Sequence, residues 1–228
     1  MDFLEGEILA FDKPYGWTSF DLIAKIRNTI CHTLGIKRLK VGHAGTLDPL
    51  ATGVMLVCTG RKTKQIDDLQ AKTKEYIATL QLGATTPSFD EEQPVDKTYS
   101  TEHITEEKVR SVLTLFLGEQ WQVPPAFSAV KINGKRAYAL ARNGREVELP
   151  AKLLTIDSIE LLHFDAEKMQ AEIKVVCSKG TYIRALARDI GEKLACGAYL
   201  KALRRTRLGE FGENDIMTIE QFQTKIAS

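Results

Sequence analysis

With 228 residues, 43% of them hydrophobic and 27% charged, the chain has a globular protein's composition and length for one large domain or two small ones. No apolar run approaches the ~20 residues needed to cross a bilayer, and the acidic start Met1-Asp2-Phe3-Leu4-Glu5 lacks the basic opening of a secretory signal, so a cytoplasmic protein without a membrane partner is expected. Cys31, Cys58, Cys177 and Cys196 stand far apart in apolar contexts with no C-x-x-C pair, which argues against a disulfide framework or a zinc site.

Ile8–Phe11 reads as a short buried strand, closed by Lys13-Pro14-Tyr15-Gly16. Thr18 and Asp21 form a capping-box signature, and Ile23, Ile26, Ile30 and Leu34 follow at helical spacing until Gly35 stops the helix. Residues 42–49 form a glycine-bearing loop, and Gly53–Cys58 is a buried strand. Lys74–Leu82 alternates, with Tyr76, Ala78, Leu80 and Leu82 on one face, as a half-buried strand does. A polar connection spans 84–103, after which Thr105 caps a helix with Val109, Val112, Leu113 and Phe116 in one stripe. Asn133-Gly134 signals a tight hairpin, and a short helix is expected over Arg136–Arg142. Strands follow near 153–162 and 169–177, then a helix over Thr181–Leu194 with Ile183, Leu186, Ile190 and Leu194 inward. Basic and apolar residues alternate through Leu200–Phe211, and a short helix near Ile219 ends the chain.

Strands and helices mix without regular alternation, and one hairpin is antiparallel. The fold class expected is α+β: a mixed, largely antiparallel β-sheet flanked by helices. No Gly-, Ser- or Pro-rich linker divides the chain, so 1–228 is expected to be a single domain. The net charge of +1 conceals uneven segments: residues 20–75 carry ten Lys/Arg against five Asp/Glu, 84–107 one against seven, and 178–207 eight against two. Each run alone fits a solvated face. Two basic segments converging in space would suit a phosphate backbone.

The most informative stretch is Gly42-His43-Ala44-Gly45-Thr46-Leu47-Asp48-Pro49. Its glycines permit backbone conformations closed to other residues and close approach of a ligand. Pro49 stiffens the exit and confines Asp48 to extended geometry. Taken singly, Asp48 also reads as a turn residue, His43 as a loop residue, Tyr76 as core and Arg184 as a surface charge.

The combination is more specific. Asp12-Lys13-Pro14-Tyr15-Gly16-Trp17-Thr18-Ser19 resembles a D-K-P-x-G-x-T-S opening, and Gly42–Gly53 resembles G-H-x-G-T-L-D-P-x-A-x-G. Lys74-Glu75-Tyr76 matches K-x-Y, and Pro124–Tyr138 is similar to P-P-x-[YF]-S-A-x-K-x-x-G-x-x-x-Y. Lys179–Leu186 and Leu203–Gly209 supply two further blocks. In this order, over residues 12 to about 211, the blocks resemble the TruB family of bacterial tRNA pseudouridine-55 synthases. Ala44 and Phe127 vary the commonest wording at positions with no proposed catalytic side chain.

That resemblance implies isomerisation of uridine 55 in the T loop of tRNA to pseudouridine. Asp48 is the nucleophile, Arg184 pairs with it, and Tyr76 stacks on the target base. His43, Leu203, Tyr182, Lys13, Gly42 and Thr46 are implied at the substrate. The partner is the T-stem loop of tRNA, and the protein is expected to be a monomer. A segment at 124–152 is an RNA-clamping insertion, and no C-terminal PUA domain is expected after Ser228. The reaction breaks a C1′–N1 bond, turns the base and makes a C1′–C5 bond. Nothing is oxidised or consumed, so no cofactor and no metal are expected.

An ionised carboxylate can serve as a covalent nucleophile here; attack at C1′, attack at C6 of the base, or support of a glycal all remain open. Desolvation opposes ionisation, and a guanidinium alongside reverses that by roughly 1–3 pKa units. The target base must leave its stack, at a cost of a few kcal/mol that phosphate contacts can supply. The basic stretches 25–40, 61–74 and 201–207 are the candidates for those contacts. Two rival readings are an RNA-folding protein on the same scaffold and a metal-dependent hydrolase using His43 and Asp48, the latter lacking further ligands nearby.

Overall fold

A computed structural model describes residues 1–127 and 149–227, with the backbone of 131–132 and 135–136. It forms two compact units, Met1–Ile77 with Leu203–Ser228, and Ala78–Ala202.

The first unit begins with β1 (Ile8–Lys13), which lies antiparallel to β3 (Ala51–Thr59). Between them come α1 (Ser19–Leu34) and β2 (Val41–Ala44), the latter antiparallel to β3. The α1 start is the capping box read in the sequence: Thr18 accepts from the Asp21 amide, and the Asp21 carboxylate accepts from the Thr18 amide. Gly35 closes the helix at φ +63°, a left-handed conformation that suits glycine. Leu22, Ile23, Ile26 and Ile30 face inward, whereas Leu34, expected on that stripe, is exposed because the last turn has run past the core. A 3-10 turn (Gly60–Gln65) and α2 (Ile66–Ala71), not anticipated in the sequence, lead into β4 (Lys74–Leu82).

β4 carries the expected alternation, with Tyr76, Ala78, Leu80 and Leu82 buried, and its second half opens the other unit. The polar connection there contains a short antiparallel pair, β5 (Ala84–Thr85) and β6 (Lys97–Thr98). Next is α3 (Glu106–Thr114), capped by Thr105 and burying Val109, Val112 and Leu113. β7 (Gly118–Gln122) was not foreseen; its five residues carry one large apolar side chain, Trp121, which is exposed. β8 (Lys131–Ile132) and β9 (Lys135–Arg136) pair antiparallel about the Asn-Gly position. The helix expected over 136–142 and most of the expected insertion at 124–152 lie outside the described residues. β10 (Lys152–Asp165) and β11 (Gln170–Cys177) form a long hairpin, and α4 (Ile183–Lys193) starts two residues later than its pattern suggested.

β12 (Ala198–Leu208) then returns the chain to the first unit, where β13 (Phe211–Gly212) pairs with it and α5 (Ile219–Ala227) ends the described chain. Strand order in the first unit is β1-β3-β12, and in the second β4-β11-β10-β7. The β3–β12 pairing is parallel, Leu203 against Ala51 through Arg205 against Gly53, whereas β1–β3, β2–β3, β12–β13, β10–β11 and β7–β10 are antiparallel. The sheet is therefore mixed, largely antiparallel and flanked by helices. In the first unit Ala10, Ala44, Val54, Leu56, Cys58, Leu69 and Leu208 make the core around this pairing, and Phe222 of α5 packs edge-on against Phe3 and Phe11. Cys58, Cys177 and Cys196 are buried as small hydrophobes. Among the described residues no helix is long and apolar enough to cross a membrane.

Candidate active site

The bend at residues 45–49 begins where β2 ends. His43 and Ala44 still pair with Val57 and Leu56, so the first half of the expected loop is strand. Gly45 then turns the chain at φ +87°, a left-handed value that a side chain resists. Beyond it the main chain is stitched down. Ser19 Oγ donates to the Leu47 carbonyl (3.0 Å) and accepts from the Leu47 amide (2.9 Å). The Gly16 amide donates to Pro49 O (2.9 Å), and the Ala51 amide to Asp48 O (3.0 Å). Asp48 is thus a half-buried carboxylate on backbone fixed at both sides, while Thr46 is exposed and Leu47 buried.

Two cations lie beneath this bend within the first unit. Lys13 is fully buried, and Nζ donates to Pro14 O (2.8 Å), Trp17 O (2.6 Å) and Pro49 O (3.3 Å). Burial pushes its ammonium down to about 8, against the opposing pull of the Asp48 charge. An ammonium with three donors committed to three carbonyls braces the bend.

Arg205 is 1% exposed; its Nε donates to Val54 O (2.7 Å) and its Nη2 to Gly45 O (3.1 Å). His43 is held below its ordinary pKa, first by burial and then by the Arg205 charge, partly offset by a hydrogen bond with the Gly45 backbone. Its imidazole is neutral at neutral pH.

The basic stretch at 201–207, expected to meet RNA, is largely spent inside the protein. Arg204 forks onto Asp12 (3.0 and 3.1 Å) and reaches Glu213 (2.6 Å), and Arg207 lies 3.6 Å from Glu75. These carboxylates were hidden from a count along the sequence because they come from β1, β4 and the segment after β13. Lys25, Lys37, Arg38, Lys40, Lys64 and Lys72 are exposed and remain available to a phosphate backbone. Gly42, expected at the substrate, has a packing reason: a Cβ there would stand 2.7 Å from Ile66 Cδ1. Tyr76 and Leu203 belong to the same unit as Asp48, Tyr76 buried and Leu203 half-buried on β12.

Arg184 and Tyr182 belong to the second unit. Tyr182 caps α4, and Gln122 at the end of β7 holds it from both sides: Gln122 Oε1 accepts the Tyr182 amide (2.9 Å) and Nε2 donates to the Tyr182 carbonyl (3.1 Å). Arg184, in the first turn, is 5% exposed. Within this unit it faces Asp90 (Nε to Oδ2 3.5 Å) and donates to Ser88 O (3.3 Å) and Phe127 O (2.9 Å).

The 84–103 connection therefore acts as a holder. Thr86 and Ser88 hydroxyls donate to Asp90 O, and the Leu200 amide to Phe89 O. Asp90, Gln122, Ser19 and Arg205 were all missed in the sequence. Ser19, inside the Thr18-Ser19 block, and Arg205, inside the Leu203–Gly209 block, carried a signal; Asp90 and Gln122 carried none.

Comparison with known proteins identifies the family. Residues 32–183 match the family model described as TruB family pseudouridylate synthase (N terminal domain), and 184–228 match tRNA pseudouridylate synthase B C-terminal domain. The chain is 61% identical to tRNA pseudouridine synthase B of Phocaeicola vulgatus, over 97% of this chain and 94% of that one. It is 43% identical to the protein of the same name in Flavobacterium johnsoniae, over 99% and 98%. Among solved structures it resembles a chain of a Cbf5-Nop10-Gar1 complex, with TM-score 0.72 and 29% identity, covering 97% of this chain and 54% of that one. A chain of an H/ACA RNP bound to a substrate RNA containing 2'-deoxyuridine gives TM-score 0.68 and 26% identity, over 97% and 53%. The chain belongs to the TruB family of pseudouridylate synthases and is an isomerase that converts uridine in tRNA to pseudouridine.

Proposed function

We propose that the substrate is uridine 55 in the T loop of tRNA, and that Asp48 is the nucleophile acting on a nucleotide everted from its stack. The observation that carries the reading is the Asp48 carboxylate itself, half-buried on a bend pinned by Ser19 and Gly16 and within electrostatic reach of the buried Lys13 ammonium. A nucleophile held this way loses little freedom on meeting its substrate.

Arg184 pairs with Asp48 and opposes the desolvation that would protonate it. Asp90 in turn orients Arg184. Tyr76 offers a flat face to the base, worth ~1–3 kcal/mol, on which a detached uracil can turn in its own plane. Leu203 lines the same pocket and His43, neutral, borders it.

The atoms balance without a co-reactant. The C1′–N1 bond breaks, the base rotates, the C1′–C5 bond forms, and the C5 proton leaves while N1 gains one. Exposed lysines and arginines of the first unit supply phosphate contacts, so affinity falls steeply with salt. The enzyme acts as a monomer on the T-stem loop.

Carbodiimide detection of pseudouridine on an unmodified tRNA transcript tests this. Product is expected at position 55 with wild-type protein and none with Asp48→Asn, while the variant's tRNA affinity stays within a few fold. Undiminished product from Asp48→Asn, or product from a transcript with cytidine at 55, would overturn the reading.

A further inference from the structure

Among the described residues Arg205 heads the fully buried side chains by volume, and it has no part in the roles above. It sits where β12 meets β3 in parallel register, opposite Gly53. From there its guanidinium spans two elements, with Val54 of β3 on Nε and Gly45 at the mouth of the bend on Nη2. Its Nη1 lies 3.3 Å from where a Cβ on Gly45 would stand, so the bend rests directly on it. Among the described residues no carboxylate is in ion-pair contact with it; its acceptors are neutral carbonyls. Removing a guanidinium from water is costly, and carbonyls offset this less well than a carboxylate would. A methionine there would serve packing at less expense, so the charge needs a reason beyond stability.

We propose that Arg205 is a positioning residue of the isomerisation, tying β3 to the Gly45 carbonyl so that Asp48 stands at a set place and leaving a positive charge behind the bend. This rests on the Asp48 reading above. Gly45 is three residues from Asp48, and the intervening chain is held at Leu47 by Ser19. Arg205 at Gly45 and Ser19 at Leu47 are thus two anchors on the short chain that leads to Asp48, and with the first removed the Ser19 hydrogen bonds alone must hold the bend. A misplacement of about 1 Å at a reacting group can cost on the order of a hundredfold in rate. The charge acts separately from the geometry. It works against protonation of both Lys13 and His43. Held behind the backbone, it favours an ionised Asp48 without occupying an oxygen that must attack.

Single-turnover rates on unmodified tRNA, measured against pH, separate the two effects. Arg205→Lys keeps the charge but cannot hold both carbonyls; its rate falls about tenfold with the acid limb of the pH profile unmoved. Arg205→Met loses the charge as well; its rate falls about a hundredfold or more and the acid limb shifts to higher pH. Both keep tRNA affinity within a few fold of wild type. A wild-type rate in either folded variant, an acid limb unmoved in Arg205→Met, or a rate loss matched by an equal loss of affinity overturns the proposal. So does failure of Arg205→Lys to fold by circular dichroism, which would make the residue part of the scaffold alone. Asp48→Asn assayed alongside keeps the readings apart: an inactive Asp48→Asn beside an unaffected Arg205→Met removes this inference only, whereas an active Asp48→Asn removes the reading beneath it.

Discussion

Replacing Gly53 by alanine tests how tightly the site depends on the β3–β12 contact. Gly53 has φ +99°, and a Cβ there would stand 2.2 Å from Arg205 O, 2.9 Å from Arg205 N and 3.0 Å from Arg205 C. All three are backbone atoms of the paired strand, so no side chain can swing aside. An ordinary carbon–oxygen contact in a sheet is about 3.3–3.6 Å, so β12 must retreat by roughly 1 Å at Arg205. The positive φ costs an L-residue about 1–2 kcal/mol, and forced overpacking adds ~1–3 kcal/mol. Together these predict a loss of roughly 2–5 kcal/mol. Gly35→Ala is the control: φ is +63° there, nothing lies within 4 Å, and only the backbone penalty applies. Urea unfolding of both variants, with m-values compared to show that the same transition is followed, isolates the clash as their difference. Gly53→Ala should also lose most pseudouridine formation, because Leu203 and Arg205 move with β12, while Gly35→Ala retains it. Equal stability losses in the two variants, or a fully active Gly53→Ala, would refute the argument.

Three further outcomes follow from the same geometry. Burial pushes the Lys13 ammonium down to about 8 from the ordinary 10.5 of a lysine, so between those pH values the unfolded chain holds more protons than the folded one. This group's contribution to stability therefore rises from pH 8 towards 10.5, and the stability difference between wild type and Lys13→Met should grow over that window; a constant difference in urea unfolding contradicts it. Asp90→Ala removes the carboxylate that orients Arg184 at 3.5 Å while the Ser88 and Phe127 carbonyls still accept from it; a loss of roughly 1–3 kcal/mol is expected, with a slower single turnover, and an unchanged denaturation midpoint would show the pair to be incidental. Thr18→Ala removes the reciprocal cap of α1 and should cost about 0.5–2 kcal/mol; no measurable change would mean that the Ser19–Leu47 stitch alone sets the helix start.

Local chemistry made much of this fold legible. The Thr18–Asp21 box, the Gly35 stop, the alternation of Lys74–Leu82 and the inward face of Ile183, Leu186, Ile190 and Leu194 are each written within one element, where spacing alone carries the signal. Partners distant along the chain were not legible. Gln122 reaches Tyr182 across 60 residues and Ser88 accepts from Arg184 across 96, and no local pattern marks either. The acidic stretch at 84–107 shows the limit most clearly: by composition it reads as a solvated connection, yet Asp90 within it is buried against Arg184. The strand β7 escaped because its residues alternate poorly and its one aromatic faces outward.

The run Leu203-Arg204-Arg205-Thr206-Arg207 sharpens the same point about charge. As a string it is three cations in five residues, the expected signature of a phosphate-binding strip. In a strand, however, neighbouring side chains point to opposite faces, which separates Arg204 from Arg205; Arg207 alternates onto the Arg205 face but is only half-buried and lies beside Glu75. Arg204 and Arg207 meet carboxylates of Asp12, Glu213 and Glu75, which hold them at the surface of their own unit. Thr206 adds a hydrogen bond to Glu75. Arg205, alone among the three, turns into the core, where its acceptors carry no charge. The arginine that looks least available to RNA by burial is thus the one whose charge is left uncompensated, and it bears on the bend that carries Asp48. If these arginines met phosphates, replacing them one at a time would lower the salt dependence of tRNA binding by about one unit of slope each. With their donors committed internally, Arg204→Gln and Arg205→Met should leave that slope unchanged, whereas Lys37→Gln and Arg38→Gln, on exposed residues, should lower it.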